Sequence, residues 1–160
     1  MTLDELIDAW EAAWSDRRAE DFAPLCAVDV HYEDPLCPEP LQGVDALADH
    51  AEALWAAFPD AQVERTGSRL SDGRYVAAPC LLRATNTGPL GSLPATGRTL
   101  AVGAVSFCEV EDGRLCRVRA FYDVYGAAVQ LGILPAHGTL GERALLTLRG
   151  FGLRVGRDGD

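Results

Sequence analysis

The stretch R-L-C-R-V-R-A-F-Y-D, residues 114–123, decides the fold predicted for this chain. It is rich in β-branched and aromatic residues, and it ends on an acid. Side chains alternate along a strand, so Arg117, Arg119, Phe121 and Asp123 are predicted to share one face. An aspartate is disfavoured in a β-strand, so Asp123 is the first candidate functional residue.

Two Asp-Gly pairs, Asp72-Gly73 and Asp112-Gly113, predict β-hairpins around this stretch. The strands are expected at residues 61–70, 74–87, 99–110 and 114–124. Helices are expected before them. Thr2 and Glu5 form a capping box for a helix that ends near residue 16, a short second helix contains Phe22, and a third begins near Val44 and ends at Pro59. A short strand at 28–34 lies between the helices. Helices followed by an antiparallel meander predict an α+β fold.

A two-residue turn at Asp112-Gly113 would place Val102, Ala104 and Ser106 on the face that contains Asp123 and Phe121. This is predicted to be the pocket face. The opposite face would contain these apolar residues: Val105, Phe107, Val118, Ala120 and Tyr122. The helices can cover only one face, so we expect the second to pack against another copy of the chain in a homodimer.

Composition narrows the classes of partner and chemistry. The 160 residues have a net charge of −10, so we expect no nucleic-acid or membrane partner, and the acidic N-terminus suggests a cytoplasmic protein. All 14 basic residues are arginine, which excludes lysine-dependent chemistry. The five cysteines are odd in number and have no C-x-x-C spacing, so free thiols are expected.

An ordered series of short motifs runs through the chain: Tyr-Glu-Asp-Pro at 32–35, Phe-Pro-Asp at 58–60, Ala-Thr-Asn-Thr-Gly at 84–88, Pro-Ala-Thr-Gly-Arg at 94–98, Asp-Gly-Arg at 112–114, Tyr-Asp at 122–123 and Gln-Leu-Gly at 130–132. With these motifs the chain resembles the SnoaL-like polyketide cyclases of the nuclear-transport-factor-2-like superfamily. The resemblance covers a domain at residues 1–135. Residues 136–160 form an extension, predicted to contain a short helix and a frayed tail.

The resemblance implies a cone-shaped, curved sheet wrapped around the N-terminal helices, with a mostly apolar central pocket. It also implies that Asp123 acts as general acid and base in an aldol closure, without a metal or an organic cofactor. The family often has histidine where this chain has Asn86. Asn86 can hydrogen-bond a substrate oxygen, but it cannot transfer a proton near neutral pH.

Arg119 lies on the predicted face of Asp123. If the two side chains meet, the cation would favour the carboxylate and make Asp123 a base. An Asp-Arg pair also resembles the limonene-type epoxide hydrolases of the same superfamily, with Asp34 or Glu33 as the second acid. A rim arginine that pairs with any nearby carboxylate remains the alternative.

Further candidates come from the helices and the first strand. Tyr32 and Asp34 share a strand face and are candidates to line the pocket, although Asp34 also suits a turn before Pro35. His50 lies at the margin of the third helix's apolar stripe, where it is either a pocket residue or a partly buried polar residue. Four aromatic residues belong to the predicted core, and one or two of them could form a pocket wall: Trp10, Trp14, Trp55 and Phe58.

His31, Glu33 and Asp34 could be metal ligands, but no second histidine cluster completes a site, so none is expected. The leading hypothesis is a cofactor-independent cyclase-type enzyme acting on an apolar, carbonyl-bearing, polyketide-like substrate. The alternatives are an epoxide hydrolase or isomerase with the same pocket, and a non-catalytic ligand-binding or dimerisation module. The expected small-molecule partner is an apolar or aromatic ligand.

Overall fold

The helices of the computed structural model, which describes residues 1–150, begin and end close to the positions predicted from apolar periodicity. Helix α1 spans Leu3–Asp16, and the predicted Thr2–Glu5 capping box is present. After a 3₁₀ turn at Ala19–Asp21 come α2 at Phe22–Leu25 and α3 at Val44–Ala57, and α4 at Val124–Gln130 and α5 at Leu140–Leu148 follow the sheet. The predicted frayed tail lies outside the described residues. Within those residues, no helix is both long enough and apolar enough to span a membrane.

The strands form one curved sheet that does not close into a barrel. They are β1 Cys26–Glu33, β2 Leu41–Gln42, β3 Gln62–Arg65, β4 Leu70–Ser71, β5 Tyr75–Thr85, β6 Thr99–Glu111 and β7 Arg114–Tyr122. Their order is β2-β1-β7-β6-β5-β3, and β4 also pairs with β5. The predicted α+β class is confirmed, and the structure adds that β1 runs parallel to β7.

The β6–β7 hairpin contains a bulge that the sequence analysis did not predict. Val110 pairs with Leu115 across the turn, but Glu109 pairs with Arg117, so Cys116 is an extra residue on β7. Because side chains alternate with a period of two, one extra residue moves every later side chain of β7 to the other face relative to β6.

The predicted face assignment of this hairpin is therefore wrong. Ala104 pairs with Tyr122 and Ser106 with Ala120, so these four residues share the inner face that the helices cover. Asp123, Phe121 and Arg119 do not belong to that face. The five residues predicted for the dimer face are likewise divided, because Val118 is buried in the core and Ala120 packs against it.

The core lies between α1, α2, α3 and the inner face of the sheet. Its fully buried members include Leu6, Ile7, Trp10, Phe22, Val30, Leu47, Val76, Cys108, Leu115 and Val118. Burial of a large apolar side chain contributes about 1.5–3 kcal/mol, so this cluster is the main source of stability. The predicted free state of all five cysteines is confirmed.

The outer face of the hairpin has apolar side chains that nothing in the chain's described part covers. Phe121, Phe107 and Val105 are 57%, 40% and 37% exposed, and Tyr75 stacks on Phe107 with 5.9 Å between ring centroids. The homodimer therefore stays a prediction, now assigned to this corrected surface.

We expect wild-type protein to be dimeric at micromolar concentration and Phe107→Asp to be monomeric, because a charge in an apolar interface lacks a partner. Light scattering coupled to gel filtration gives the mass. Leu148→Asp, at a residue 85% exposed on α5, is the matched control and should remain dimeric. A monomeric wild type would contradict the prediction.

Candidate functional site

A cavity of about 240 Å³ lies between the helices and the inner face of the sheet. Its wall is mainly apolar, and its aromatic members are Trp10, Trp14, Tyr32, Trp55, Phe58 and Tyr122. The chain has three tryptophans, and all three contribute to this wall. The structure thus brings together five of the residues predicted to bind substrate: Trp14, Tyr32, Asp34, Trp55 and Phe58.

Asp34 is one of two acidic residues in the cavity wall, and its side chain is only 1% exposed. The carboxylate Oδ1 accepts hydrogen bonds from the backbone N–H groups of Leu36 (2.7 Å) and Cys37 (3.1 Å). The other oxygen, Oδ2, accepts from the Tyr32 hydroxyl at 3.0 Å. Asp34 is therefore both a turn residue before Pro35 and a pocket residue, so the two interpretations given in the sequence analysis are compatible.

His50 completes this cluster from α3. Its Nε2 lies 2.8 Å from Asp34 Oδ2 and 3.7 Å from the sulfur of Cys37. His50 is not itself part of the cavity wall. It contacts the Asp34 carboxylate from outside the cavity wall, so His50 can orient this carboxylate without lining the cavity itself.

The hydrogen bonds of Asp34 have a clear electrostatic effect. Burial alone would raise the pKa of this carboxyl group. The hydrogen bond and charge of His50, the Leu36 N–H and the Tyr32 hydroxyl together outweigh burial, so the pKa is lowered. Asp34 is consequently ionised at neutral pH, in an otherwise apolar cavity.

Two tyrosines lie beside this carboxylate. Burial raises the pKa of Tyr32 well above its ordinary value, and the Asp34 charge raises it further. The pKa of Tyr122 is raised by the same two causes in the same order. Both hydroxyls stay protonated and can donate hydrogen bonds. Tyr122 was not among the predicted pocket residues, because the hairpin register predicted without a bulge placed it on the outer face.

Helix α4 and its C-cap residue close one side of the cavity through Val124, Ala127, Ala128 and Leu131. The amide group of Gln130 holds α4 against strand β6: its Oε1 accepts from the Ala101 N–H at 2.8 Å, and its Nε2 donates to the Ala101 carbonyl at 3.2 Å.

Asp123 caps this helix rather than lining the cavity. Its Oδ1 accepts a hydrogen bond from the Gly126 N–H at 2.8 Å, and the residue is exposed. A Cβ at Gly126 would come within 2.2 Å of the carboxylate, so a larger residue there would displace the Asp123 side chain from its capping position. The expectation that Asp123 projects into the apolar pocket is wrong, because the bulge reverses the predicted face.

Asn86 forms hydrogen bonds with backbone groups inside the fold. It is fully buried, and its amide nitrogen donates to the carbonyls of Gly88 (2.8 Å) and Ala57 (3.3 Å). Its oxygen accepts from the Thr96 N–H at 2.8 Å. These contacts join the end of α3 to the loop after β5. Asn86 is outside the cavity wall, so the structure does not bring it to a substrate oxygen.

Arg119 and Phe121 lie on the outer face of the sheet. Arg119 forms an ion pair with Glu33 of β1, and both groups are partly exposed. It therefore does not meet Asp123, and the Asp-Arg pair expected for an epoxide hydrolase is not formed. Phe121 is predominantly exposed and belongs to the apolar surface described above.

Asp34, Cys37 and His50 could together offer three ligand atoms to a metal ion, since these atoms lie within 4.8 Å of one another. The geometry favours a hydrogen-bonded cluster instead. The four acceptor positions of the Asp34 carboxylate have four donors, and burial raises the pKa of the Cys37 thiol to about 11. These residues therefore do not fit a metal site.

The chain belongs to the SnoaL-like polyketide cyclase family, whose pattern matches residues 4–131. No functionally curated protein matches it. Solved structures share its fold. IdmH from Streptomyces antibioticus, a proposed polyketide cyclase, has 22% identity and a TM-score of 0.70 over 81% of this chain and 97% of that one.

Two other solved structures have the same fold, and neither is called a cyclase. AclR from Streptomyces galilaeus, a proposed hydroxylase, has 21% identity and a TM-score of 0.72, over 92% of this chain and 91% of that one. A protein of ketosteroid isomerase-like fold from Catenulispora acidiphila DSM 44928, in complex with trimethylamine, has 18% identity and a TM-score of 0.71. That match covers 83% of this chain and 95% of that chain. At these identities the likeness establishes the fold alone.

Replacement of Asp123 by Ala should lower the free energy of unfolding by roughly 1 kcal/mol, because the N-cap of α4 is lost. Asp123→Asn should retain most of that stability, since asparagine caps helices about equally well. Urea denaturation of both variants measures the difference. Equal stability of Asp123→Ala and wild type would contradict the capping role.

A second prediction concerns metal ions. Treatment with a chelator should leave the melting temperature unchanged, and added Zn²⁺ should not raise it, because Asp34 has no free acceptor position. Thermal denaturation and elemental analysis provide the measurement. One equivalent of tightly bound metal would contradict this interpretation of the cluster.

Proposed function

We propose that the protein is a cofactor-independent enzyme that moves a proton at a carbon next to a carbonyl group, as in aldol-type cyclisation of a polyketide-like substrate. The observation that supports this most strongly is the ionised Asp34 in an apolar cavity, next to two protonated tyrosines. A carboxylate and neutral donors at one point of an apolar pocket are the groups that enolisation requires.

Asp34 is the proposed general base. Its Oδ2 is shared by the Tyr32 hydroxyl and His50 in the absence of substrate. When a ketone enters, the Tyr32 hydroxyl turns its hydrogen bond to the ketone oxygen and leaves one lone pair of Oδ2 free. That lone pair accepts the proton from carbon. His50 remains bound to the same oxygen and keeps the carboxyl group oriented.

The negative charge that develops on the ketone oxygen needs hydrogen-bond donors. Tyr122 is the second donor, because its hydroxyl lies near Asp34, lines the cavity and stays protonated. In a cavity with few competing polar groups, such hydrogen bonds are stronger than in water. The resulting enolate carbon would attack a second carbonyl group of the same substrate molecule, which the aromatic wall holds in a folded conformation. As the new C–C bond forms, the attacked carbonyl becomes an alkoxide, which takes the proton back from Asp34 and restores the carboxylate.

The alternative functions receive less support. The pair expected for epoxide hydrolysis of the limonene type, Asp123 with Arg119, is not formed, because Arg119 pairs with Glu33 on the outer surface. A non-catalytic module would favour a pocket filled by aromatic side chains, whereas about 240 Å³ is open beside the Asp34 cluster. Isomerisation uses the same proton transfer and differs only in where the proton returns.

The proposal predicts that the wild-type protein accelerates exchange of the C1 protons of 2-tetralone, a bicyclic ketone, with D₂O. Asp34→Asn should lower the protein-catalysed rate by about 10²-fold or more, because an amide cannot accept the proton. Tyr122→Phe should lower it by roughly 10²-fold through loss of one oxyanion donor. Proton NMR follows the exchange, and circular dichroism verifies the fold.

Asp123→Asn is the matched control, because it removes a carboxylate outside the cavity and should leave the exchange rate unchanged. The opposite pattern, with a normal rate for Asp34→Asn and a large loss for Asp123→Asn, would overturn the assignment of the base. A wild-type protein that does not accelerate exchange of 2-tetralone or of an open-chain 1,3-diketone would count against the enzyme class.

A further inference from the structure

The second acidic residue of the cavity wall is Glu11, which the proposed mechanism does not use. It lies on α1 between Trp10 and Trp14, and all three residues line the cavity. Glu11 is 8% exposed, although glutamate is among the residues that are almost never fully buried without a partner. A buried carboxyl group at this position therefore needs an explanation.

Arg69 supplies part of that explanation. The Arg69 side chain is 3% exposed, and its NH2 donates to Glu11 Oε2 at 2.8 Å and to Asp8 Oδ1 at 2.7 Å. Its NH1 donates to the Asp4 carbonyl (2.9 Å) and to Asp4 Oδ1 (3.2 Å). Asp4 and Asp8 are largely exposed, so the arginine does not depend on Glu11 alone for compensation of its charge.

The other oxygen of Glu11 remains unpaired. Among the described residues, Glu11 Oε1 is buried and has no hydrogen-bond partner, and the same is true of Arg69 Nε. An unsatisfied buried acceptor costs about 1–3 kcal/mol, more if it is charged. Unpaired buried polar groups are few in natural proteins, and each one calls for an explanation such as a bound ligand group or an ordered water.

The carboxyl groups of Glu11 and Asp34 lie in different parts of the cavity. The Asp34 charge affects the pKa of Tyr32, Tyr122 and Cys37, whereas Glu11 is among the groups that raise the pKa of Cys80 and Cys108. Cys80 pairs with Ala104 across β5 and β6, and the cavity-lining Ser106 lies between Ala104 and Cys108 on the same face. The Glu11 carboxyl group is therefore near this inner part of β6.

We propose that Glu11, held by Arg69, is a specificity-determining residue that binds a hydroxyl group of the ligand at a second polar position in the cavity. The ligand class follows from the two positions: a mainly apolar, ring-sized molecule with a carbonyl oxygen at Asp34 and a hydroxyl group at Glu11. This deepens the proposed function and rests on it for the position of the carbonyl group.

A hydroxyl group suits Glu11 in either protonation state. Burial raises the pKa of Glu11, and Arg69 opposes this without reversing it. An ionised Glu11 accepts a hydrogen bond from the hydroxyl, and a protonated one donates to it. A ligand cation is disfavoured there, because the Arg69 guanidinium is already hydrogen-bonded to the same carboxyl group.

Calorimetric titration with 2-tetralone and with 6-hydroxy-2-tetralone tests the proposal, since the two ketones differ only in the hydroxyl group. Wild type should bind the hydroxyl compound on the order of 10-fold more tightly. Glu11→Leu, which removes both oxygens at similar volume, should reduce that ratio to about one. Glu11→Gln, which keeps one acceptor and adds a donor, should retain part of it.

Asp8→Asn is the matched control, because it removes another carboxylate partner of Arg69 outside the cavity and should leave the ratio unchanged. A wild-type ratio near one, an unchanged ratio in Glu11→Leu, or binding of neither ketone at millimolar concentration would overturn the proposal. Asp34→Asn could keep full exchange activity while Glu11→Leu reduces the affinity ratio of the two ketones to one. In that case the proposed function fails, and the proposed hydroxyl-binding role of Glu11 stands.

Discussion

One extra residue in the central hairpin determines which side chains face the cavity. Cys116 is unpaired between the Val110–Leu115 and Glu109–Arg117 pairs, and it turns Ala120 and Tyr122 inward. Without that bulge, the inner face of β7 would contain Arg119 and Phe121. A buried arginine would then lie beside the tryptophans, and its desolvation would be unfavourable without a partner. The apolar character of the cavity and the position of Tyr122 both depend on this bulge.

The polar part of the cavity depends on the hydrogen bonds that compensate the buried negative charge of Asp34. Asp34 receives two backbone hydrogen bonds from the turn that follows it, and it contacts Tyr32 and His50 through its other oxygen. The turn, the strand and α3 must all be in place for these contacts. The same set of donors keeps Asp34 ionised and positions the Tyr32 hydroxyl beside it. Structural stabilisation and proposed chemistry therefore use one set of interactions.

Much of the fold could be predicted from the sequence, because local signals were strong. The capping box of α1, the apolar stripe of α3 and the two Asp-Gly turns predicted helix and hairpin positions to within a few residues. The bulge has no comparable signal, because the residue that forms it is a cysteine in an ordinary strand pattern. The register predicted without the bulge therefore placed Asp123 and Phe121 on the pocket face, whereas the bulge turns them outward.

The candidate site could be predicted in part. Tyr32 and Asp34 were identifiable from strand alternation, whereas the contact with His50 joins residues that are 16 positions apart. Glu11 did have a signal: it lies four residues after Ile7 and three before Trp14, within the apolar face of α1. The contacts of Asn86 required the three-dimensional structure, because Ala57 and Thr96 belong to separate segments.

The carbonyl stretching frequency of bound 2-tetralone tests the central claim most directly, because it reports hydrogen bonding to the ketone oxygen. If Tyr32 and Tyr122 donate to that oxygen beside an ionised Asp34, infrared difference spectra should show a frequency below that of the ketone in an apolar solvent. Most of that shift should disappear when both tyrosines are replaced by phenylalanine. A bound ketone with the frequency found in apolar solvent, in the wild-type protein, would contradict the account.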